Sequence, residues 1–459
     1  MFKAIILAAG EGTRMKSKKS KVLHEIAGKP LIYHILNSVK KAGFDEIITV
    51  LGRNYNDAKE IVEYFGSKVI KQPHEPGSPY GTGYAAKICM DEISEEDDLL
   101  IMYGDTPLID DKTIENYFNY HKNCANDITV LSAILDDPKD YGRIVREDGE
   151  FKEIVEKKNM DPNLFYSNEI NSGIYLFKGK AFLDTIVEIN DDNPKKEYML
   201  TDTIAIGRGL SYKVDAYISD NHDVVLGVND REDLYLCECA LIARENKKRM
   251  ISGVMIHNPE STYIDPDAII EEDVELSGFV KIIGKSIIRS GSMIENSTIC
   301  NMTIGENCHI INSTCEDSVV EDGVKFGPYS RIRPGSHIAS GAKIGNFVEI
   351  KNSNFGEGSK AGHLAYIGDA DVGRDVNIGC GVVFVNYDGK KKHRTTVGDH
   401  AFVGSNVNLV APVVIEDNAF LAAGSTITKD VSKDALSIER GEQKNIDGWV
   451  IRRGLHKEL

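Results

Sequence analysis

The chain opens on a run over residues 3–9 that is apolar throughout after Lys3, the pattern of a strand buried on both faces, and Gly10-Glu11-Gly12-Thr13-Arg14 follows it directly. An amphipathic helix is predicted from about Leu31 to Lys41, then a buried strand over Ile47–Leu51 and a helix over Asp57–Tyr64. A further buried strand, Leu99–Tyr103, stops at Gly104-Asp105. Alternating strands and helices predict a mostly parallel, doubly wound α/β sheet. Ligands of such sheets sit beyond the carboxyl ends of the strands, where both the Gly10–Arg14 turn and Gly104-Asp105 fall. This first domain is read as residues 1–229. A long helix over Arg231–Met250 makes 230–250 a connector, with Leu234, Leu241 and Ile242 packed and Glu238, Glu245, Lys247, Lys248 and Arg249 in solvent.

From residue 251 to 459 the periodicity changes. Apolar residues recur every six positions at Ile264, Ile270, Leu276, Ile282, Ile288 and Ile294, and again at Phe326, Ile332, Ile338, Ile344 and Ile350. Val372, Ile378 and Phe384, then Val397, Val403, Leu409, Ile415, Leu421 and Ile427, continue the series, with glycines close by at 345, 379, 398 and 404. A period of six is neither helical nor a plain alternation. It predicts a left-handed parallel β-helix of hexapeptide repeats, each hexad forming one flat face. Each coil covers only its neighbours, and flat faces on a narrow prism invite closed association, most simply as a homotrimer. From Lys433 the repeat gives way to a charged tail holding Trp449, the only tryptophan.

With 459 residues the chain accommodates two domains, and 41% apolar composition gives each a core. A net charge of −17 argues against nucleic acid or anionic membrane as partners, but not against a local phosphate site. The first apolar run is too short for a secretory leader, and no stretch approaches a membrane span. The eight cysteines are scattered, and Cys237 and Cys239 have no histidine or second cysteine pair near them. A reducing, cytoplasmic setting is expected.

Glycines on a strand-to-helix turn let free amides approach an anion, and Arg14, Lys16 and Lys21 follow closely enough to balance a triphosphate; the alternative is a tight turn beside a solvated basic face. Asp105, at the end of a buried strand, suits a hydrated Mg²⁺ that takes one or two carboxylates plus phosphate oxygens, or else caps the turn at Thr106-Pro107.

Leu-Ala-Ala-Gly-x-Gly-Thr-Arg-Met at 7–15, Lys-Val-Leu-His at 21–24, Gly81-Thr82-Gly83 and Tyr103-Gly104-Asp105 together resemble sugar-1-phosphate nucleotidyltransferases. Tyr141-Gly142-Arg143, Ile154-Val155-Glu156, Asn171-Ser172-Gly173 and Gly227-Val228-Asn229 extend the likeness. With the β-helix behind them, nearly the whole chain resembles the family of bifunctional UDP-N-acetylglucosamine pyrophosphorylases / glucosamine-1-phosphate N-acetyltransferases. The resemblance implies that Leu7, Ala8, Ala9 and Gly10 hold uracil and ribose, that Arg14 and Lys21 meet the phosphates of UTP, and that Gln72, Gly81 and Thr82 complete the uridine pocket. It implies Gly142, Glu156 and Asn171 on the sugar, and Asp105 with Asn229 on Mg²⁺. The segment from Gln72 to Gly81 is about four residues longer than the family pattern, which leaves open whether Gln72 reads the base.

In the second half His363 breaks the hexad series, and a histidine has the pKa for deprotonating an amine before acyl transfer; a loop histidine without a role is the alternative. Asn386-Tyr387-Asp388-Gly389 marks a loop insertion, and the basic residues 390–394 are either a lure for the phosphates of coenzyme A or a solvated loop. The resemblance implies His363 as the base on glucosamine-1-phosphate, oriented by Glu349. It places Arg333, Lys351, Tyr366 and Asn377 on the amino-sugar phosphate, and Cys380, Asn386, Tyr387, Ser405, Ala423 and Arg440 on acetyl-CoA. Cys380 stands where the family pattern has alanine. A single-activity nucleotidyltransferase on a structural β-helix is the competing reading; it predicts no catalytic set on the repeat.

Overall fold

The computed structural model describes residues 1–53, 55–75, 77–161, 166–193 and 196–455. They form two compact units, 1–242 and 243–459, and the division falls inside the long helix Arg231–Ile251.

The first unit is built on β1 (Phe2–Ala8), α1 (Leu31–Lys41), β2 (Glu46–Leu51), α2 (Tyr55–Tyr64), β3 (Lys68–Lys71), α3 (Thr82–Lys87) and β4 (Asp98–Tyr103). Then follow α4 (Asp111–Asn123), β5 (Ile128–Ile134), β6 (Arg143–Glu147), β7 (Glu150–Val155), β8 (Glu169–Lys178), α5 (Gly179–Ile186), α6 (Asp202–Gly209) and β9 (Val214–Ile218). The main path of the sheet runs β9-β5-β8-β4-β1-β2-β3. β1 lies parallel between β2 and β4, so the strand order reverses at β1, the position where an α/β sheet opens a crevice. The continuous apolar run has a direct cause. Ala4, Ile6 and Ala8 enter one core while Ile5 and Leu7 enter the core on the opposite face. In α1, Ile32, Ile35, Leu36 and Val39 recur at helical spacing and are buried, and Lys40 and Lys41 close the last turn, where the helix dipole favours cations. The sheet departs from parallel at β8, antiparallel to both β4 and β5, and at the β6–β7 hairpin.

The Arg231–Ile251 helix differs from the sequence expectation in detail. Cys237 and Asn246 are buried, and the Asn246 amide donates to the carbonyls of Pro259 and Thr262 at 2.9 and 2.8 Å. Arg249 is half-buried rather than solvated, and desolvation lowers its pKa.

The second unit is the expected left-handed parallel β-helix, with strands mostly of two or three residues in three parallel ladders. One ladder stacks Leu276, Ile294, Ile310, Phe326, Ile344, Ala361, Ile378, Val403 and Leu421. Every one of these is at most 4% exposed, and a fully buried isoleucine contributes roughly 1.5–3 kcal/mol. The gap in the hexad series between Ile294 and Phe326 is not a gap in the fold. Ile299, Ile304, Ile310, Cys315 and Val320 carry the core there in shortened steps, and Ile294 pairs with Ile310, sixteen positions on, where Leu276 pairs with Ile294 at eighteen. Glycine is required where coils approach closely: a Cβ on Gly379 would lie 2.6 Å from the Ser405 nitrogen.

Candidate active sites

In the first unit a cleft of about 1430 Å³, counting its open mouth, lies beyond the carboxyl ends of β1 and β4. The chain after β1 supplies Leu7, Ala8, Ala9 and Gly10. A Cβ on Gly10 would meet nothing within 4 Å, so it is not packing that demands glycine there; the bare backbone faces open space, as an approaching ligand requires. Asp105 enters from the end of β4, and its carbonyl accepts the Val228 amide at 2.8 Å, which brings Asn229 to the same lip. The Lys21 ammonium is ion-paired with the Asp105 carboxylate, and the Arg14 guanidinium donates to Asn229 Oδ1 at 2.7 Å.

The opposite wall is polar and tied down. Gly83 N donates to the Tyr198 carbonyl and Tyr198 N to the Tyr80 carbonyl, both at 2.8 Å, while Leu200 N donates to the Thr82 hydroxyl at 3.1 Å. Asn171 N donates to the Gly142 carbonyl at 2.9 Å, and its side-chain amide donates to the Tyr175 hydroxyl at 3.0 Å. Burial pushes the Tyr175 phenol up to about 12 and raises those of Tyr103 and Tyr141, so all three stand as neutral hydroxyls at neutral pH. Gln72 is anchored by its amide on the Leu51 carbonyl at 2.8 Å and lines the cleft despite the lengthened segment after it.

In the second unit a groove of about 1000 Å³, again counting its mouth, is lined by His363, Asn377, Cys380 and Ser405, together with Lys325, Lys343 and Lys360. His363 lies on the strand Lys360–Gly368, exposed, with Asn346 as its register partner. Its ring makes no hydrogen bond to the described residues. A second cluster holds Arg333, Glu349, Lys351, Tyr366 and Asn386. Arg333 donates to Glu349 at 2.8 Å, which holds the guanidinium pKa up. Lys392 beside Lys351 holds that ammonium's pKa below the ordinary lysine value. Asn386, buried, donates to Asp369 at 2.5 Å and to the Tyr366 hydroxyl at 3.3 Å. Arg440 donates to the Ala423 carbonyl at 2.8 Å, and Tyr387 is exposed on its loop.

Residues 4–138 match the MobA-like NTP transferase domain, and 317–352 and 394–429 match the bacterial transferase hexapeptide repeats. The chain is 42% identical to the bifunctional protein GlmU of Alkaliphilus metalliredigens, over 100% of both chains. It is 44% identical to that of Clostridioides difficile over 98% of each, and 44% to that of Acetivibrio thermocellus over 99% of this chain and 98% of that one. The chain belongs to the GlmU family.

Of the residues that the GlmU resemblance implies for the nucleotide, sugar and metal, all but Arg14 line the one cleft, and Arg14 reaches it through Asn229. The residues implied for acetyl transfer fall into three places on this chain: the His363 groove, the Arg333–Asn386 cluster, and Ala423 with Arg440. Glu349 sits on Arg333 and makes no hydrogen bond to His363. Its register partner is Tyr366, whereas His363 pairs with Asn346, and the backbone bends between them at Leu364. The basic run 390–394 is partly consumed. Arg394 grips Asp371 at 2.5 and 2.6 Å, and His393 sits on Asp388 at 2.7 Å. Sequence reasoning missed Tyr80, Glu197, Met199 and Thr201 in the cleft, where an irregular segment carries no periodic signal. It also missed the three groove lysines, although Lys325 and Lys343 each precede a core residue of the hexad series.

Proposed function

We propose that this GlmU-family chain first acetylates glucosamine-1-phosphate from acetyl-CoA in the second unit and then transfers a uridylyl group from UTP to the product in the first, giving UDP-N-acetylglucosamine and pyrophosphate for cell-wall precursor synthesis. The observation that carries the reading is the pairing of a cleft at the sheet's switch point, with backbone and cations for phosphate on one wall and neutral polar groups on the other, with a separate histidine groove on the β-helix.

In the cleft, an already anionic sugar-phosphate oxygen attacks the α-phosphorus of UTP and pyrophosphate leaves, so no general base is needed; alignment and charge neutralisation by Arg14 and Lys21 suffice. Leu7–Gly10, Gln72, Gly81 and Thr82 receive the nucleoside, and Gly142, Glu156 and Asn171 the sugar. One carboxylate and one amide oxygen at a shared lip fit Mg²⁺ completed by phosphate oxygens and water, so Asp105 and Asn229 would hold it. When bound, the ion supplies further neutralisation of the triphosphate. In the groove, His363 takes a proton from the sugar ammonium so that the amine can attack the thioester. Arg333, Lys351, Tyr366 and Asn377 receive the amino-sugar phosphate. Cys380, Asn386, Tyr387, Ser405, Ala423 and Arg440 receive acetyl-CoA. A homotrimer, in which neighbouring copies bring these three places together, completes the acetyl site. Among the described residues no helix is long and apolar enough to cross a membrane, and all eight cysteines are free; we place the protein in the cytoplasm.

One preparation assayed for both reactions tests this. His363→Ala should abolish acetyl transfer and spare uridylyl transfer, and Asp105→Ala should do the reverse. Loss of both activities from either change, or a wild type without acetyl transfer, would refute the two-site assignment.

A further inference from the structure

Several cations on this β-helix find an acid one coil away. Arg289 sits on Glu271 at 3.3 Å, Arg331 on Glu316 at 3.0 Å, His337 on Glu321 at 2.9 Å and Arg374 on Asp399 at 3.0 Å. Three consecutive coils of the groove carry cations that do not. Lys325 pairs in register with Lys343, and Lys343 with Lys360. All three are exposed, all three line the groove with His363, and among the described residues none has an ion pair or side-chain hydrogen bond. Like charges directly opposite on adjacent strands destabilise a sheet. With strands about 4.8 Å apart, the three side chains are rooted within about 10 Å of one another. The ladder then ends: the next coil places Asn377 in that column and the one after it Phe402. So a stack of three lysines in register, without an acid partner among the described residues, borders His363 on a chain whose net charge is −17.

We propose that the Lys325–Lys343–Lys360 ladder is a phosphate-recognition strip of the His363 groove, which draws the phosphate group of an acetyl-transfer substrate into a protein whose overall charge repels it. The inference rests on the acetyl-transfer reading given above. Ammonium groups act as mobile point charges, suited to capture and steering of a phosphate and not to fixing its orientation. A cleft lined by one sign of charge focuses the field and raises association rates in a salt-dependent way. The basic run at 390–394, read from the sequence as either a lure for phosphates or a solvated loop, is in part already neutralised by Asp371 and Asp388.

The test compares full-length wild type with Lys325→Gln/Lys343→Gln/Lys360→Gln and with the corresponding triple arginine variant. Acetyl transfer is measured at low and high ionic strength, varying glucosamine-1-phosphate at saturating acetyl-CoA and the reverse. The glutamine variant should lose about tenfold in kcat/KM at low salt, with a flattened salt dependence and an undiminished kcat, and the arginine variant should retain the wild-type profile. Loss confined to the sugar-phosphate arm assigns the strip to that phosphate; loss confined to the other arm assigns it to the phosphates of coenzyme A. An unchanged salt profile in both arms overturns the proposal, as does a loss of oligomer mass on ultracentrifugation, which would assign the lysines to acids of a second copy. A wild type inactive in acetyl transfer would refute the underlying reading and the strip with it. Lys343→Gln alone, expected to show a smaller effect of the same sign, serves if the triple variant fails to fold.

Discussion

Replacing Lys21 by methionine tests how the cleft stores charge before nucleotide arrives. Its ammonium is ion-paired with Asp105, with side-chain exposures of only 13% and 19%, and Arg14 occupies Asn229 in the same way. The two groups assigned to the metal are thus each held by a cation assigned to the triphosphate. A divalent ion entering the empty cleft has to displace Lys21, whereas phosphates that draw Lys21 and Arg14 away leave both ligands open. Two unit charges about 4 Å apart interact by about 4 kcal/mol at an effective dielectric of 20. Rehydration of the freed carboxylate returns part of that, which leaves about 1.4–3 kcal/mol for the incoming ion to overcome, or a ten- to hundredfold change in affinity. Titration of the full-length protein with Mn²⁺, followed by electron paramagnetic resonance of the free ion, reads this without catalysis. Without nucleotide, Lys21→Met should bind Mn²⁺ about ten- to hundredfold more tightly than wild type. With UTP present and no sugar phosphate, the advantage should vanish, because the variant has lost a phosphate partner. If nucleotide-free Lys21→Met binds Mn²⁺ no more tightly than wild type, Lys21 does not compete for the metal position.

Other changes separate the two units. Gly173 has φ +78°, and a Cβ there would lie 2.2 Å from Tyr103 Cε2, so Gly173→Ala should destabilise the first unit by about 2 kcal/mol in urea unfolding, cut uridylyl transfer, and leave acetyl transfer intact. Cys380 is exposed in the groove, and iodoacetamide should slow acetyl transfer in wild type but not in Cys380→Ala, with acetyl-CoA protecting the thiol from labelling as read by mass spectrometry. Asp388 is held down to about 2, chiefly by the Lys391 amide and then by His393 and the Lys390 amide. A carboxylate whose folded pKa lies below its unfolded value adds stability above that unfolded value and loses it as pH falls through the folded one. Amide exchange at Lys390 and Lys391 should therefore stay protected near pH 4 and accelerate towards pH 2, and Asp388→Asn should remove this dependence.

The sheet was legible because burial on two faces leaves β1 apolar from Ala4 to Ala8, and the helix bounds of α1 followed from its apolar stripe. The antiparallel β8 was not, since a strand's direction depends on where the chain returns from and not on its own composition. In the cleft, residues on strand ends and tight turns were readable from glycine and acid placement. Tyr80, Glu197 and Thr201 were not, because they reach the cleft through long-range backbone pairing between 80–83 and 198. Glu349 shows a different limit. It lies on the strand paired with that of His363, but in register it faces Tyr366 while His363 faces Asn346, and the positive φ at Leu364 falls between those two positions.

On a β-helix, contact between distant residues is set by coil length, and coil length varies most at the site. Following one column, Phe326 pairs with Ile344 eighteen positions on, Ile344 with Ala361 at seventeen, Ala361 with Ile378 at seventeen, and Ile378 with Val403 at twenty-five. The long step contains the 386–394 loop, and the spacing returns to eighteen between Val403 and Leu421. A fixed period of six therefore finds the core ladder but misassigns the outward columns in this stretch. Lys360 falls out of the strict repeat that joins Lys325 and Lys343, yet the three stand one above another because each precedes the core residue of its coil. The core ladder fixes the scaffold through residues that are almost fully buried, which leaves the neighbouring outward positions free to carry charge without loss of fold. Chemistry on this domain is accordingly read by columns: three lysines, then Asn377, then the stacked rings of Phe402 and Phe420, 4.5 Å apart, mark a face that turns from cationic to aromatic across the coils that hold His363 and Ser405.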